Sequence, residues 1–483
     1  MKYQLRPYQL EAVDGARARH RAGSRAVLIV APTGAGKTII ASHIVEQSVL
    51  RGSRTLFLAH RKELIEQCSA KLDDIGVWHG IIKAGNNKVH PGSLVQVASV
   101  QTLGRRLERL TQDYRLIIID EAHHATAKSY QVILDANPQA LILGLTATPY
   151  RADGQGLGDL FQSYVEVATI EGLVRQGFLV PQRVFVGMRL SLNGVKTTAG
   201  DYNLGELGAA VNKPKLVGDI VGSWRRHAAD RLTICFATSI EHSRAIVEAF
   251  RDAGVAAEHL DGTTPEDERT AILARFAAGQ TRVVSNCAVL TEGWDCPQAA
   301  ALILARPTKS RGLWRQMAGR VLRPYPGKTD CLVLDHGNCT DHHGYLTDPD
   351  RVDLSGKGGG ERPAPTRKCK QCGARYAGAP KWCPACGVSL ETEGGRLDEE
   401  ITLGDRTFEM VEVQPQAKRV IPETVVERLL LADLQTAAAK GYKAGWAAMR
   451  YKSRTGRWPA REMIEAAQKK VWGTATAGAG FGK

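Results

Sequence analysis

The chain has 483 residues, 43% of them hydrophobic, enough for large buried cores and, at the usual domain size, about three domains. Its formal charge of +14 favours a polyanionic partner, bound through phosphate contacts and counterion release. No apolar stretch approaches the ~18 residues of a membrane span, which excludes a helical membrane protein, and Met1-Lys2-Tyr3-Gln4-Leu5-Arg6 lacks an apolar signal segment, so the expected compartment is the cytoplasm.

Residues 1–155 alternate apolar strand runs, at 26–30, 55–59, 95–99, 116–120 and 141–145, with helical stretches, the pattern of a parallel, doubly wound α/β domain. The first run leads into Ala31-Pro32-Thr33-Gly34-Ala35-Gly36-Lys37-Thr38. A strand, a glycine-bearing turn and a helix opening at Lys37 aim backbone N–H groups at phosphate. Thr33, Gly34, Ala35 and Gly36 are therefore expected to cradle ATP, Lys37 to hold its β- and γ-phosphates, and Thr38 to bind Mg²⁺. The strict form of this motif opens with glycine, and here Ala31 stands in its place. The run at 116–119 suits a strand buried on both faces, and it delivers Asp120-Glu121-Ala122-His123 to the carboxyl edge of the sheet, where ligands collect. There Asp120 is expected to hold the Mg²⁺ shell and Glu121 to orient or deprotonate the attacking water, with His123 the candidate for coupling.

A second alternation begins near Pro181 and continues through runs at 232–236, 282–284, 301–304 and 331–334, which predicts a second α/β domain over 156–345 without a phosphate loop of its own. Residues 346–366 read as a linker. Cys68, Cys235, Cys287, Cys296, Cys331 and Cys339 are scattered and read as buried small hydrophobes in a reducing compartment. Cys369, Cys372, Cys383 and Cys386 instead form two Cys-x-x-Cys pairs, with Gly373 and Gly387 permitting tight turns after each. Four thiolates at this spacing predict a closed, structural Zn²⁺ site in a module over 367–390. A polar linker is expected over 391–423, a basic helical region over 424–472 and a disordered tail over 473–483. In the basic region Lys440, Tyr442, Lys443, Trp446, Arg450, Tyr451, Arg454, Arg457 and Trp458 interleave charge with rings, which suits either nucleic-acid contact or an amphipathic helix with its aromatics in a core.

Further strings stand in a telling order: Leu5-Arg6-Pro7-Tyr8-Gln9, Ala59-His60-Arg61-Lys62, Val100-Gln101-Thr102, Thr146-Ala147-Thr148-Pro149, Thr291-Glu292-Gly293-Trp294-Asp295 and Gln316-Met317-Ala318-Gly319-Arg320-Val321-Leu322-Arg323. With the phosphate loop and the Asp-Glu-Ala-His string, they resemble the motifs of superfamily-2 helicases of the DEAH type, in that superfamily's order across residues 5–323. The resemblance implies two tandem RecA-like domains, with ATP bound between them. It implies that Arg6 and Gln9 read adenine, that Arg61, Thr102 and Thr291 touch the nucleic acid, that Gly293, Asp295 and Gln316 face the nucleotide, and that Arg320 and Arg323 are arginine fingers. Met317 departs from the pattern, which often has arginine there. Residues 289–338, with their Gly-Trp-Asp-Cys-Pro and Asp-His-Gly-Asn strings, are similar to the RadD-type bacterial and phage helicases, which implies DNA rather than RNA as substrate and a role in repair or replication. A double-stranded DNA translocase without strand separation, an RNA helicase, and an ATP-gated module recruiting a protein partner through the zinc or C-terminal region are the alternatives.

Overall fold

A computed structural model of the chain describes residues 4–85, 90–107, 113–151, 155–186, 192, 194–198, 200–348, 352–354, 367–368, 375–376 and 410–413, with helical positions within 430–438, 445–448 and 461–472. All five apolar runs of the first domain fold as strands: β1 (Ala26–Val30), β2 (Thr55–Ala59), β4 (Val95–Ser99), β5 (Leu116–Asp120) and β6 (Leu141–Thr146). They are joined by β3 (His79–Ile82) and β7 (Ser163–Glu166) in one parallel sheet of order β3-β4-β2-β5-β6-β1-β7. Helices α1 (Pro7–Arg21), α2 (Lys37–Val49), α3 (Lys62–Asp74), α4 (Val100–Gly104) and α5 (Lys128–Asp135) belong to this lobe. Every residue of β1, β2 and β4 is buried, as a parallel sheet covered on both faces requires.

Because β7 pairs with β1, the first sheet reaches past residue 155, where the sequence reading ended its domain. The alternating exposure of β7 hides this edge strand from a search for apolar runs.

The second lobe begins with α6 (Ile170–Arg175) and β8 (Gln182–Val186). A short hairpin, β9 (Thr197–Thr198) and β10 (Asp201–Tyr202), leads into α7 (Leu204–Val211) and α8 (Pro214–His227). Next come β11 (Thr233–Phe236), α9 (Ile240–Asp252), β12 (Ala257–Leu260), α10 (Glu266–Ala277), β13 (Val283–Asn286), β14 (Ala301–Leu304), α11 (Arg311–Ala318), β15 (Cys331–Asp335) and α12 (Cys339–His343). An antiparallel pair, β16 (Arg367–Lys368) and β17 (Arg375–Tyr376), follows, and β18 (Val411–Val413) comes last. The second sheet has the order β12-β13-β11-β14-β15-β8-β18, parallel except where β18 runs against β8.

β18 corrects the reading of 391–423 as linker throughout. It satisfies the open edge of β8, and Arg183 grips Glu412 across that pair in a fork, at 2.9 and 2.8 Å.

Both sheets lie in one compact unit, residues 1–414, and residues 415–483 form another. In the latter, Leu430, Leu434, Ala447 and Ala467 make a small apolar core, and a helix spans Arg461–Trp472. Tyr442, Trp446, Met449 and the four cysteines of the expected zinc module lie outside the described residues. The six scattered cysteines are unbridged, and all but the half-buried Cys287 are buried. Among the described residues no helix is long and apolar enough to cross a membrane.

Candidate active site between the lobes

The parallel register sets the ends of β1, β6 and β5 side by side: Val30 stands opposite Thr146 and Asp120 opposite Leu145. Beyond β1, the Ala31 N–H donates to the Thr146 carbonyl at 2.9 Å, so the ladder carries into the phosphate loop. Gly34 and Gly36 hold φ of 87° and 81°, a left-handed conformation that glycine adopts without cost, and α2 starts at Lys37 as expected. A Cβ on Gly36 would sit 2.5 Å from Gln9 Nε2.

That contact shows what α1 does to the loop. Tyr8 OH and Gln9 Nε2 both donate to the Ala35 carbonyl, at 3.1 and 3.0 Å, while Gln9 Oε1 accepts the Arg6 N–H at 3.0 Å. The Arg6 guanidinium lies over the Phe178 ring, 4.3 Å from its centroid. Both ends of the Gln9 amide are thus engaged with the protein, and the side chain braces the phosphate loop.

Asp120 is buried, and its Oδ1 accepts the Glu121 N–H at 3.0 Å. Burial, together with the Glu121 carboxylate, pushes its carboxyl up to about 7 against the pull of Lys37. Glu121 adopts φ 48°, rare for a residue with a side chain, and strain of this kind gathers at functional sites. Its Oε1 lies 3.8 Å from Lys37 Nζ and its Oε2 3.5 Å from His123 Nδ1, and Oε2 is buried with no hydrogen bond, an open acceptor facing the site. His123 Nδ1 is 3.2 Å from Thr146 Oγ1 and 3.4 Å from Thr148 Oγ1, and burial lowers its pKa to about 4, so the ring is neutral.

The second lobe closes this site. Gly319 packs so tightly on the loop that a Cβ there would come within 2.6 Å of Thr33 Cβ, and a Cβ on Gly34 would lie 3.7 Å from Arg323 Cγ. Arg323 pairs with Asp295. Arg320 behaves differently: its guanidinium is buried and donates to the Thr291 carbonyl at 3.1 and 2.5 Å and to the Trp294 carbonyl at 2.6 Å. Burial lowers its pKa to about 10, which leaves it charged at neutral pH. The two arginines expected as fingers are thus separated, one against the phosphate loop and the other bracing the 291–294 loop. Gln316 is buried beside them in α11.

That loop also meets α3. Gly293, with φ 69°, comes so close that a Cβ would be 2.9 Å from Glu63 Cβ, and Gln67 Nε2 donates to the Gly293 carbonyl. Thr291 Oγ1 donates to the Ala288 carbonyl at 3.1 Å, and the Thr102 N–H closes the N-terminus of α4 on Ser99 Oγ at 3.4 Å. Arg61 Nε contacts Glu292 Oε2 at 3.0 Å. Glu292 also lies 2.9 Å from His60, 3.6 Å from His124 and 3.8 Å from His123. Burial opposes its charge, but the contacts with His124, His60 and Arg61 more than offset this and hold the carboxyl far below the usual carboxylate range. Sequence reasoning quoted Glu292 inside a motif without giving it a role, because only the meeting of the lobes reveals where it points.

Two family descriptions match the chain: "Type III restriction enzyme, res subunit" over residues 2–151 and "Helicase conserved C-terminal domain" over 212–325. A "51.5 kDa protein" of Lactococcus phage (isolate 7-9) is 31% identical over 78% of this chain and 82% of its own length. "Putative ATP-dependent helicase IRC3" of Saccharomyces cerevisiae is 33% identical over 68% of this chain, which spans 51% of the yeast protein. The solved "fragment structure of a putative HsdR subunit of a type I restriction enzyme from Vibrio vulnificus YJ016" superposes with a TM-score of 0.56 at 23% identity, covering 70% of this chain and 66% of that one, a likeness of fold.

Proposed function

The chain belongs to the superfamily-2 helicases, enzymes whose ATP hydrolysis is stimulated by nucleic acid, and on that premise we propose that it is a RadD-like DNA helicase acting in repair or replication. The observation that carries this reading is the seating of Gly319 and Arg323 on Thr33 and Gly34, since a phosphate loop roofed by a second lobe is completed by closure. Lys37 holds the β- and γ-phosphates of ATP, with Gly34, Ala35 and Gly36 giving backbone N–H groups. The Glu121 carboxylate, with its Oε2 open, takes a water in line with the γ-phosphate and accepts its proton. Arg323 leaves Asp295 to meet the charge that develops on the transferring phosphoryl group, while Arg320 keeps the 291–294 loop in place. The Thr38 hydroxyl and the buried Asp120 carboxylate are the hard oxygen donors that Mg²⁺ takes, and bound Mg²⁺ neutralises phosphate charge. His123, between Glu121 and the Thr146-Ala147-Thr148 segment, couples the hydrolytic end to the strand grip, in which Arg61 and Thr102 contact the DNA backbone.

Cys369, Cys372, Cys383 and Cys386 supply the thiolate set of a structural Zn²⁺ site, and this module or the C-terminal region takes a protein partner. The deciding experiment measures ATP turnover with single-stranded, double-stranded and forked DNA and with RNA in parallel, alongside unwinding of the fork and displacement of a triplex strand. Stimulation by DNA with fork unwinding supports the proposal. Triplex displacement without unwinding makes the protein a duplex translocase, and preference for RNA overturns the substrate.

A further inference from the structure

One group of metal-ligating side chains among the described residues borders the nucleotide site, with His123 between it and Glu121: His60, His124 and Glu292, whose donor atoms all lie within 4.8 Å of one another. The histidines belong to the first lobe, one just after β2 and the other in the turn after β5, whereas Glu292 arrives from the second lobe. Two imidazole nitrogens and a carboxylate oxygen make up the His₂Glu donor set of zinc sites that keep a fourth position open. Metal bonds of 2.0–2.1 Å at tetrahedral angles set neighbouring donors roughly 3.3 Å apart. Glu292 Oε2 is 2.9 Å from His60 Nε2 and Oε1 is 3.6 Å from His124 Nε2, so small rotations bring the three donors to that edge length.

The bonding of the rings points the same way. His124 Nε2 is buried and makes no hydrogen bond, although it faces the carboxylate. His60 Nε2 donates to Glu292 Oε2 at 2.9 Å, but His60 Nδ1 is buried without a hydrogen bond and can take the proton when Nε2 ligates. The two rings already lie beside each other, with centroids 4.2 Å apart and planes tilted at 54°. Arg61 is the competitor, 3.0 Å from Oε2, but its side chain is 33% exposed and free to swing into solvent when a dication takes its place.

We propose that His60, His124 and Glu292 form a site for Zn²⁺, or an ion of the same ligand preference, that staples the two lobes together when filled. Because the ligands come from both lobes, the bound ion resists their opening and slows product release. The binding part of this inference is independent of the helicase reading, whereas the kinetic part rests on it.

The test compares the full-length protein with His124→Ala and Glu292→Gln after dialysis against chelator and titration with Zn²⁺. The wild type binds one equivalent more than either variant. Loss of a ligand weakens that equivalent by at least about 100-fold, more than the 10- to 100-fold that loss of an outer partner costs. Zinc at the four cysteines, whatever its occupancy, is common to all three proteins and cancels in the comparison. With Co²⁺ the extra site gives visible bands without thiolate charge transfer, absent from both variants. Zinc slows DNA-stimulated turnover of the wild type several-fold and leaves the residual turnover of the variants unchanged in ratio. His124 is 41% exposed at its side chain, so its truncation is compatible with folding, which circular dichroism checks; Glu292→Gln keeps the shape of its side chain. Equal zinc stoichiometry in the wild type and either folded variant overturns the proposal, and the cluster is then an ion-pair network alone. Equal inhibition by zinc in all three proteins overturns the staple.

Discussion

Lys37 and Arg323 each face a carboxylate, Glu121 and Asp295, that exposes a role to measurement. Lys37→Ala removes the charge that faces Glu121 and the γ-phosphate, so stimulated turnover falls to background in a protein that still folds. A turnover near wild type in folded Lys37→Ala would reject the motor. The two arginines separate cleanly. Arg323 is partly exposed with one carboxylate partner, so Arg323→Ala keeps thermal stability and nucleotide affinity but lowers turnover by the ~10³ to 10⁵ typical of an arginine finger. Arg320→Ala strands the buried Thr291 carbonyl, at about 1–3 kcal/mol, and frees the part-buried Trp294 carbonyl, and so lowers the melting temperature. Measuring melting and turnover on both variants decides the assignment: a stable, inactive Arg320→Ala would make Arg320 the finger instead.

The elements that matter most are the turn at 319–321 after α11 and the phosphate loop before α2. Their approach leaves no room for a methyl group at Gly319, whose nearest neighbour is the Cβ of Thr33 and not the far end of a flexible side chain. Gly319→Ala therefore holds the lobes apart while each still folds. Turnover should drop by about 10²-fold, the cost of roughly 1 Å of misplacement, with nucleotide affinity nearly kept. Turnover within a few-fold of wild type would mean that the lobes do not close in this way. The four-cysteine module makes a separate prediction. One Zn²⁺ per chain should accompany Cys369 and its partners and be lost in Cys369→Ser with ATP binding retained, as metal analysis of the two proteins would reveal.

For the whole molecule, buried histidines set the acid limit. Burial lowers His242, His336 and His343 of the second lobe to about 4 each, below the unfolded value of 6.5. Between those values the unfolded chain binds more protons than the folded one. Their contribution is therefore fully present above pH 6.5 and is lost as pH falls toward 4, by at most about 3 kcal/mol per histidine. Thermal melting should be level from pH 7 to 8 and decline steadily below 6.5. His343→Gln keeps an amide donor for the Thr308 carbonyl and should flatten the decline. An unchanged slope in that variant would locate the acid sensitivity elsewhere.

Short-range chemistry made the phosphate loop legible: the turn needs Gly34 and Gly36 at positive φ, Lys37 must open the helix, and a strand buried on both faces must be apolar up to Asp120. The same reasoning reached both sheets, since parallel strands read as unbroken apolar runs. It passed over β3 and β12, short strands that each carry a histidine, β7, whose exposure alternates, and β18, an edge strand within a polar stretch. The sequence alone thus determined the fold class, the two lobes and the strand–turn–helix course of the phosphate loop. Only the tertiary structure decided that Gln9 braces the loop, that Arg320 and Arg323 part company, and that His60, Arg61, His123 and His124 gather on Glu292. Those contacts join residues far apart in the chain, within each lobe for Gln9, Arg320 and Arg323 and between the lobes at Glu292, and no local periodicity encodes them.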